Sequence, residues 1–298
     1  VSDKSFIATF QDDINNPDLH VNYHFLNYTG LIPRFSNFTA CHWMYIKYFS
    51  KDLMPIWSYC MLRKDVEDLE CLQLSFIPTR SSLNRNLKTE GFLPWSRVPG
   101  SFDRPIEIDV QPFKHRTWNH ICWTYSSATG CHEIYYNGVR MNPVCTDLQD
   151  ARSAIEGSSD VANYSVIIGQ EQDAVGGSFD SKQTFNGHLS ELNIWGRLLS
   201  DQQILNISKC TDFSKGDIIA WRVDNFKAQI VTIDYKEDIS FLCREEKSLV
   251  IFPQRHLLPE AIDICRIHGG TLVVPKNETE NNNKLGFLKI HQNESSAV

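Results

Sequence analysis

No stretch of this chain approaches about 18 consecutive apolar residues, so no segment of it reads as a membrane-crossing helix. No basic and apolar leader opens it either, and Val1 is compatible with a mature N-terminus left by cleavage. Cys-x-x-Cys pairs and Cys/His clusters at zinc spacing are missing. The ten histidines are scattered and read as ordinary surface or core residues rather than metal ligands. Walker, nucleophile-elbow and His-Glu-x-x-His motifs are absent, which gives no support to catalysis. Basic residues are in short supply. The net charge of −7 argues against nucleic acid as a partner. There are no internal repeats and no low-complexity tracts, so a repeat architecture is excluded.

What is present fits a packed extracellular protein. The 298 residues leave room for roughly two domains of about 100–200 residues each. Hydrophobic residues at 42% and charged residues at 22% are enough for a core and too few charges for wholesale disorder. Asn-x-Ser/Thr acceptors for glycans occur at Asn27, Asn37, Asn163, Asn206, Asn277 and Asn293. Together with nine cysteines they point to the secretory route, where disulfides persist. Nine is odd, so at least one cysteine lacks an intrachain partner.

Between about Asn22 and Ile194 short aromatic and β-branched runs alternate with Gly, Pro, Asn and Asp. Strands are expected near Cys41–Phe49, Cys71–Ile77, Trp118–Tyr125, Glu133–Tyr136, Ser165–Ile168 and His188–Trp195. Asn137-Gly138, set between Glu133–Tyr136 and Val139–Met141, is a strong hairpin signal. Long loops are expected near Pro78–Pro105 and Asp147–Val161. Ser200, three residues before Gln203, has capping-box spacing for one short helix. The fold class is all-β, a two-sheet antiparallel sandwich or jelly roll.

His120-Ile121-Cys122-Trp123-Thr124-Tyr125-Ser126-Ser127 resembles the pentraxin signature His-x-Cys-x-Ser/Thr-Trp-x-Ser/Thr, with Tyr125 in place of Trp. Phe38-Thr39-Ala40-Cys41 is similar to the family's strand that carries its first cysteine. Ile168 to Asp173, with Gly176-Gly177 and Gly187–Trp195, is similar to its most characteristic block. The resemblance, which is to the long-pentraxin kind, covers about residues 20–226. It implies a pentraxin/concanavalin-like jelly roll and a disulfide between Cys41 and Cys122 that joins the two sheets. Proximity along the chain suggests Cys60–Cys71, Cys131–Cys145 and Cys210–Cys243 as further pairs.

Glu171, Gln172, Asp173, Asp180 and Gln183 crowd oxygen donors into thirteen residues, with Gly176 and Gly177 allowing the loop to fold back. The residues alone fit a solvated acidic loop at least as well as a cation site. The resemblance implies more, because pentraxins bind two adjacent calcium ions through such a loop. Glu171 and Asp173 would bridge them, the Gln172 carbonyl would serve the first, and Asp180 and Gln183 would complete the set. The family's Asp-Asn pair from an earlier hairpin maps onto Asp65 and Val66, so one ligand is lost, with Asp68 as an alternative. One or two Ca2+ ions are therefore expected.

After about Phe226 the pattern changes. Residues 1–228 are expected to form the pentraxin-like domain, 229–248 a linker, and 249–298 a cut-short second domain. Glu260 to Leu272 resembles the start of an α+β C-type lectin-like domain, with helix Pro259–Cys265, a Gly269-Gly270 stop and strand Thr271–Val274. A polar helix is expected from Glu278. In that family the first-helix cysteine pairs far downstream, which makes Cys265 the odd one.

Glu107-Ile108-Asp109-Val110-Gln111 resembles the catalytic strand of a jelly-roll glycoside hydrolase family, but Gln111 cannot supply a proton. Two readings remain. One is a non-catalytic recognition module in the ectodomain of a larger membrane receptor or channel. The other is a secreted, multimeric, calcium-dependent pattern-recognition protein. Either would meet an extracellular glycan, a phospholipid-type group or a protein, with homo-oligomers in prospect.

Overall fold

The computed structural model describes residues 5–11, 24–47, 54–64, 69–78, 87–92, 106–110, 117–145, 155, 157–243, 257–267, 271–274, 277–279 and 281–282. Up to residue 145 these contain β1 (Ser5–Phe10), β2 (Phe25–Tyr28), β3 (Asn37–Ile46), β4 (Met54–Arg63), β5 (Leu69–Pro78), β6 (Leu87–Phe92), β7 (Ile106–Val110), β8 (Asn119–Ser126), β9 (Cys131–Tyr136), β10 (Val139–Arg140) and β11 (Val144–Cys145). Then follow β12 (Val161–Ile168), β13 (Gly187–Trp195), helix α1 (Asp201–Ser208), β14 (Phe226–Gln229), β15 (Thr232–Lys236) and helix α2 (Leu258–Ile267).

The strands form two antiparallel sheets. The first runs β10-β9-β8-β3-β13-β1-β15, with β11 also on β9; the second runs β14-β2-β12-β4-β5-β6-β7. Their inner faces meet in one core. Trp57 of β4 and Trp123 of β8 sit 5.9 Å apart across the sandwich, and Phe38 meets Trp123 edge-on at 4.8 Å. Each such buried aromatic contributes on the order of 2–3 kcal/mol by removal from water. Trp221 stacks on Phe6 at 4.3 Å and donates its indole N–H to the Phe6 carbonyl at 2.8 Å, so its polar atom is satisfied in the core.

β3 is buried on both faces over Phe38–Met44. Phe38, Ala40 and Met44 point inward, while Cys41 belongs to a second apolar cluster on the outer side with Cys122, Tyr135, Trp195, Leu199 and Ile204. Helix α1 supplies that outer cover. Its start is the expected capping box: Ser200 Oγ accepts from Gln203 N, and Gln203 Oε1 accepts from Ser200 N. The Asn137-Gly138 turn joins β9 to β10 with φ of 49° and 80°, the paired left-handed conformation that a two-residue hairpin of this twist needs.

All four cysteine pairs are present, and Cys265 is free. One expectation about them is overturned. Cys41 and Cys122 do not join the two sheets: they are direct partners on adjacent strands β3 and β8 of the first sheet, 4.1 Å apart at Cα. Cys60–Cys71 and Cys131–Cys145 are likewise paired positions on neighbouring strands, each 4.0 Å apart at Cα.

Three further expectations change. The stretch Pro78–Pro105 is not all loop, because Leu87–Phe92 forms β6 against β5 and carries β7 beyond it. The stretch 229–248 is not all linker, because Thr232–Lys236 pairs with β1 as an edge strand. Beyond β15 a 3-10 turn at Ser240–Cys243 places Phe241 6.1 Å from Trp118, next to Tyr45 and His188 on the outer face of the first sheet. Cys243 is tied there to Cys210, which follows α1. Residues 146–154 and 156 of the other expected loop lie outside the described residues, but Ile155 bridges to Phe35.

The chain divides into two compact units, Val1–Glu245 and Glu246–Val298. In the second, α2 extends the expected helix to Leu258–Ile267. Thr271–Val274 is not a strand; it has no ladder partner among the described residues, and a lone strand leaves its backbone groups unpaired. A helical hydrogen bond, Asn281 N to Asn277 O, marks the start of the expected polar helix. Among the described residues no helix is long and apolar enough to cross a membrane.

Candidate metal centre

The loop between β12 and β13 begins at Gly169, whose φ of +90° and closeness to Phe10 admit no side chain; a β-carbon there would lie 2.6 Å from the Phe10 ring. Gly169 N donates to Ile56 O and Phe185 N donates to Gly169 O, both at 3.0 Å, which closes the neck of the loop. Gln170 is buried and donates to the His24 carbonyl at 3.2 Å.

Gln172 is the anchor. Its side chain is buried, with Nε2 donating to Ser58 Oγ at 2.8 Å and Ser58 O at 3.1 Å, and Oε1 accepting from Gly176 N at 2.7 Å. Ser58 Oγ in turn donates to the Gln170 carbonyl at 3.3 Å. The Gln172 carbonyl lies 4.0 Å from Cys71 Sγ of the Cys60–Cys71 disulfide. The loop is thus pinned to the outer face of the second sheet. Phe179 packs on Phe25 at 5.0 Å, and a β-carbon on Gly176 would meet Ser165 Oγ at 3.4 Å.

Among the described residues no ion pair neutralises the acids of this loop. Glu171 is half-buried, and its pKa is pushed up to about 7 by burial first, then by the carboxylates of Asp173 and Asp180. Glu171 Oε2 is buried with no hydrogen-bond partner. Asp173 and Asp180 are exposed, and Asp180 Oδ1 accepts from Lys182 N at 2.9 Å, which fixes its turn. Gln183 is half-buried and donates its N–H to the Asp180 carbonyl at 3.0 Å. An orphaned buried carboxylate oxygen facing two further carboxylates is a donor set that suits a hard cation with oxygen ligands. Asp65, Val66 and Asp68 lie outside the described residues.

The three acids do not close into a tight cage. Among the described residues the group of metal-capable side chains within 4.8 Å of one another is Cys41, His120 and Cys122. Its two sulfurs are bonded to each other, so it offers no thiolate to a metal. The buried histidines His42, His120 and His132 are lowered to about 3 by burial and stay neutral as packing residues. Sequence reasoning named the acids but missed Ser58, which holds the loop, and Ser165, over which Gly176 lies. A serine on the outer face of a strand carries no local signal of that role. The side chains of Glu107 and Asp109 and the whole of Gln111 lie outside the described residues; the backbone of β7 is the edge of the second sheet.

Of the glycan acceptors, Asn27 and Asn163 stand on β2 and β12, Asn37 opens β3, and Asn206 is in α1. Asn277 is exposed, and Asn293 lies outside the described residues.

Residues 103–234 match the model of the Pentaxin family. C-reactive protein 1.1 of Limulus polyphemus is 30% identical over 203 residues, 67% of this chain and 74% of that protein. Human neuronal pentraxin-2 is 40% identical over 108 residues, 36% of this chain and 23% of that protein. The solved structure of a native heptameric SAP-like pentraxin from Limulus polyphemus superposes with a TM-score of 0.61 at 20% identity, covering 80% of this chain and 98% of that one. A jelly-roll neighbour covered over nearly its whole length and a relative 30% identical over 74% of its length agree: the chain belongs to the pentraxin family.

Proposed function

We propose that this chain is a non-catalytic extracellular recognition module that binds its ligand through calcium. The observation that carries the reading is Glu171, whose buried Oε2 has no partner and whose carboxyl is raised to about 7 beside Asp173 and Asp180. Glu171, Asp173, Asp180, Gln183 and the Gln172 carbonyl would hold one or two ions, with Asp65 contributing from its hairpin. Bound calcium supplies positive charge to anionic groups such as phosphates or carboxylates on glycans, phospholipids or proteins. The chain's own part is to hold that loop rigid through Gln172 and Ser58 and to keep Glu171 half-desolvated. Calorimetric titration of the chelated protein with calcium tests this. Binding heat with a rise in melting temperature is expected; neither, at millimolar calcium, overturns it.

The second compact unit supports placing the module in the ectodomain of a larger receptor or channel, with 249–298 opening a C-type lectin-like domain. The heptameric assembly of the Limulus structure favours a second reading, a secreted homo-oligomer. The full-length transcript separates them: a downstream hydrophobic segment supports the first, and a stop soon after a complete lectin-like domain supports the second.

A further inference from the structure

Two glycan acceptors stand beside the loop that carries the acids. On β12, Val166 and Ile168 enter the core, so alternation turns Asn163, Ser165 and Ile167 to the outer face of the second sheet. On β2, Leu26 enters the core and Tyr28 packs against it, so Phe25 and Asn27 face outward. The loop rests on a neighbour of each. Gly176 lies over Ser165, two residues from Asn163, and Phe179 packs on Phe25, two residues from Asn27. Same-face residues on a strand are about 7 Å apart, so both asparagines border the loop within the span of a single sugar.

The register fixes them further. Asn163 pairs with Leu62, which pairs with Leu69; Ser165 pairs with Cys60, which pairs with Cys71. Asn163 therefore stands one row beyond the disulfide that touches the Gln172 carbonyl, on the side where β4 turns into β5. Asn27 pairs with Ile167, which pairs with Ser58, the anchor of Gln172. Asn163 is exposed, and its Oδ1 accepts from Tyr164 N, which leaves Nδ2 as the atom to be modified. Asn37 Oδ1 and Asn206 Oδ1 likewise accept, from Ser127 N at 3.0 Å and Gln202 Nε2 at 2.8 Å, but neither residue lies on the strands that flank the loop.

We propose that Asn27 and Asn163 carry N-glycans that wall the acid-bearing loop on two sides, admitting small anionic groups to this face and holding bulky protein surfaces off. The inference rests on the reading of that face as the binding face. The modification joins Nδ2 to the anomeric carbon of an oligosaccharide donated by a polyprenyl diphosphate carrier. The anomeric C–O bond breaks, the carrier diphosphate leaves, and the amide loses one proton.

Lys182, exposed within the loop, makes the shield measurable with trypsin as the bulky probe. The full chain is secreted from a glycosylating host, peptide mass spectrometry reads occupancy at each acceptor, and trypsin cleavage after Lys182 is timed in chelator. Cleavage after the exposed Lys209, beyond α1, is the internal reference, with Asn206→Gln in every sample so that trimming removes no glycan beside it. Enzymatic trimming of the folded glycoprotein should speed cleavage at Lys182 several-fold and leave Lys209 unchanged, and adding N27Q/N163Q should reproduce the trimmed protein. Trimming avoids any question of whether the double variant folds. Empty acceptors at both sites, or unchanged cleavage at Lys182 after trimming, overturns the proposal. Calcium titration of the trimmed protein is read separately, so failure of the calcium reading shows as absent heat whatever the glycans do.

Discussion

Gln172 and Ser58, 114 residues apart in the chain, are joined by two hydrogen bonds from one amide nitrogen, to the serine hydroxyl and to its carbonyl. That pair transfers the position of a strand to the loop that bears Glu171 and Asp173. Gln172→Ala would leave the buried Ser58 without its amide donor and take from Gly176 N its acceptor, a cost of about 1–3 kcal/mol. Urea unfolding in chelator should show that loss, and calcium affinity should fall with it. A double-mutant cycle with Ser58→Ala should give a coupling of about 0.5–3 kcal/mol, and additivity would show that the two side chains act separately.

The raised Glu171 pKa sets a pH dependence with a definite sign. The folded carboxyl titrates near about 7, above its ordinary value of 4.5, so the folded state holds the proton more tightly than the unfolded chain. In chelator its contribution is stabilising below about 4.5 and is lost as pH rises through about 7. Calcium must displace that proton, so its affinity should weaken by up to roughly tenfold per pH unit below the folded pKa and level off above it. Calorimetry from pH 5.5 to 8 would check both limbs in separate runs, and Glu171→Gln should flatten the profile.

Two glycines in one loop should respond unequally. Gly169→Ala forces a left-handed backbone on an L-residue, about 1–2 kcal/mol, and drives a methyl into Phe10, about 1–3 kcal/mol more. Gly177→Ala meets nothing within 4 Å and should be near neutral. Thermal melts of the two variants should therefore separate by many degrees.

Much of this architecture was legible because its signals are local. The Asn137-Gly138 hairpin and the Ser200–Gln203 cap each depend on residues within a few positions, and both form as expected. β6 was hidden because Leu-Lys-Thr-Glu-Gly-Phe has little strand propensity of its own; it is a strand because β5 and β7 offer it two ladders. β15 differs, since Thr-Ile-Asp-Tyr-Lys carries β-forming residues, but it follows the change of pattern after Phe226 and only its pairing with β1 shows that it belongs to the sandwich. Strand order is not written in spacing, so Cys41 and Cys122 could be matched without revealing that they share a sheet. The acids of the loop were named from their pattern, whereas the burial that raises Glu171 and the hold of Ser58 on Gln172 arise only when the fold lays the loop against β4.

The disulfides should rank by the chain they enclose. Cys41–Cys122 spans 81 residues and Cys60–Cys71 spans 11. Loop-entropy arithmetic gives about 4 kcal/mol for the first and about 3 kcal/mol for the second. Paired Cys→Ala variants should follow that order in guanidinium unfolding. The reverse order would mean that removing Cys60–Cys71 also frees the loop beside Gln172.

The Cys210–Cys243 bond has a mechanical consequence. It closes a covalent ring between cysteines 33 positions apart, and the ring contains Trp221, β14 and the edge strand β15. Tension arriving along the chain from beyond Cys243 passes through the bond to Cys210, at the end of α1. The ring between them carries none of that load, so pulling on the tether cannot peel β15 from β1 or draw Trp221 from the core. The pull enters on the outer side of the first sheet, while the loop of Glu171 and Asp173 rests on the outer side of the second. The module can bear strain at its back and keep its acid-bearing face undistorted.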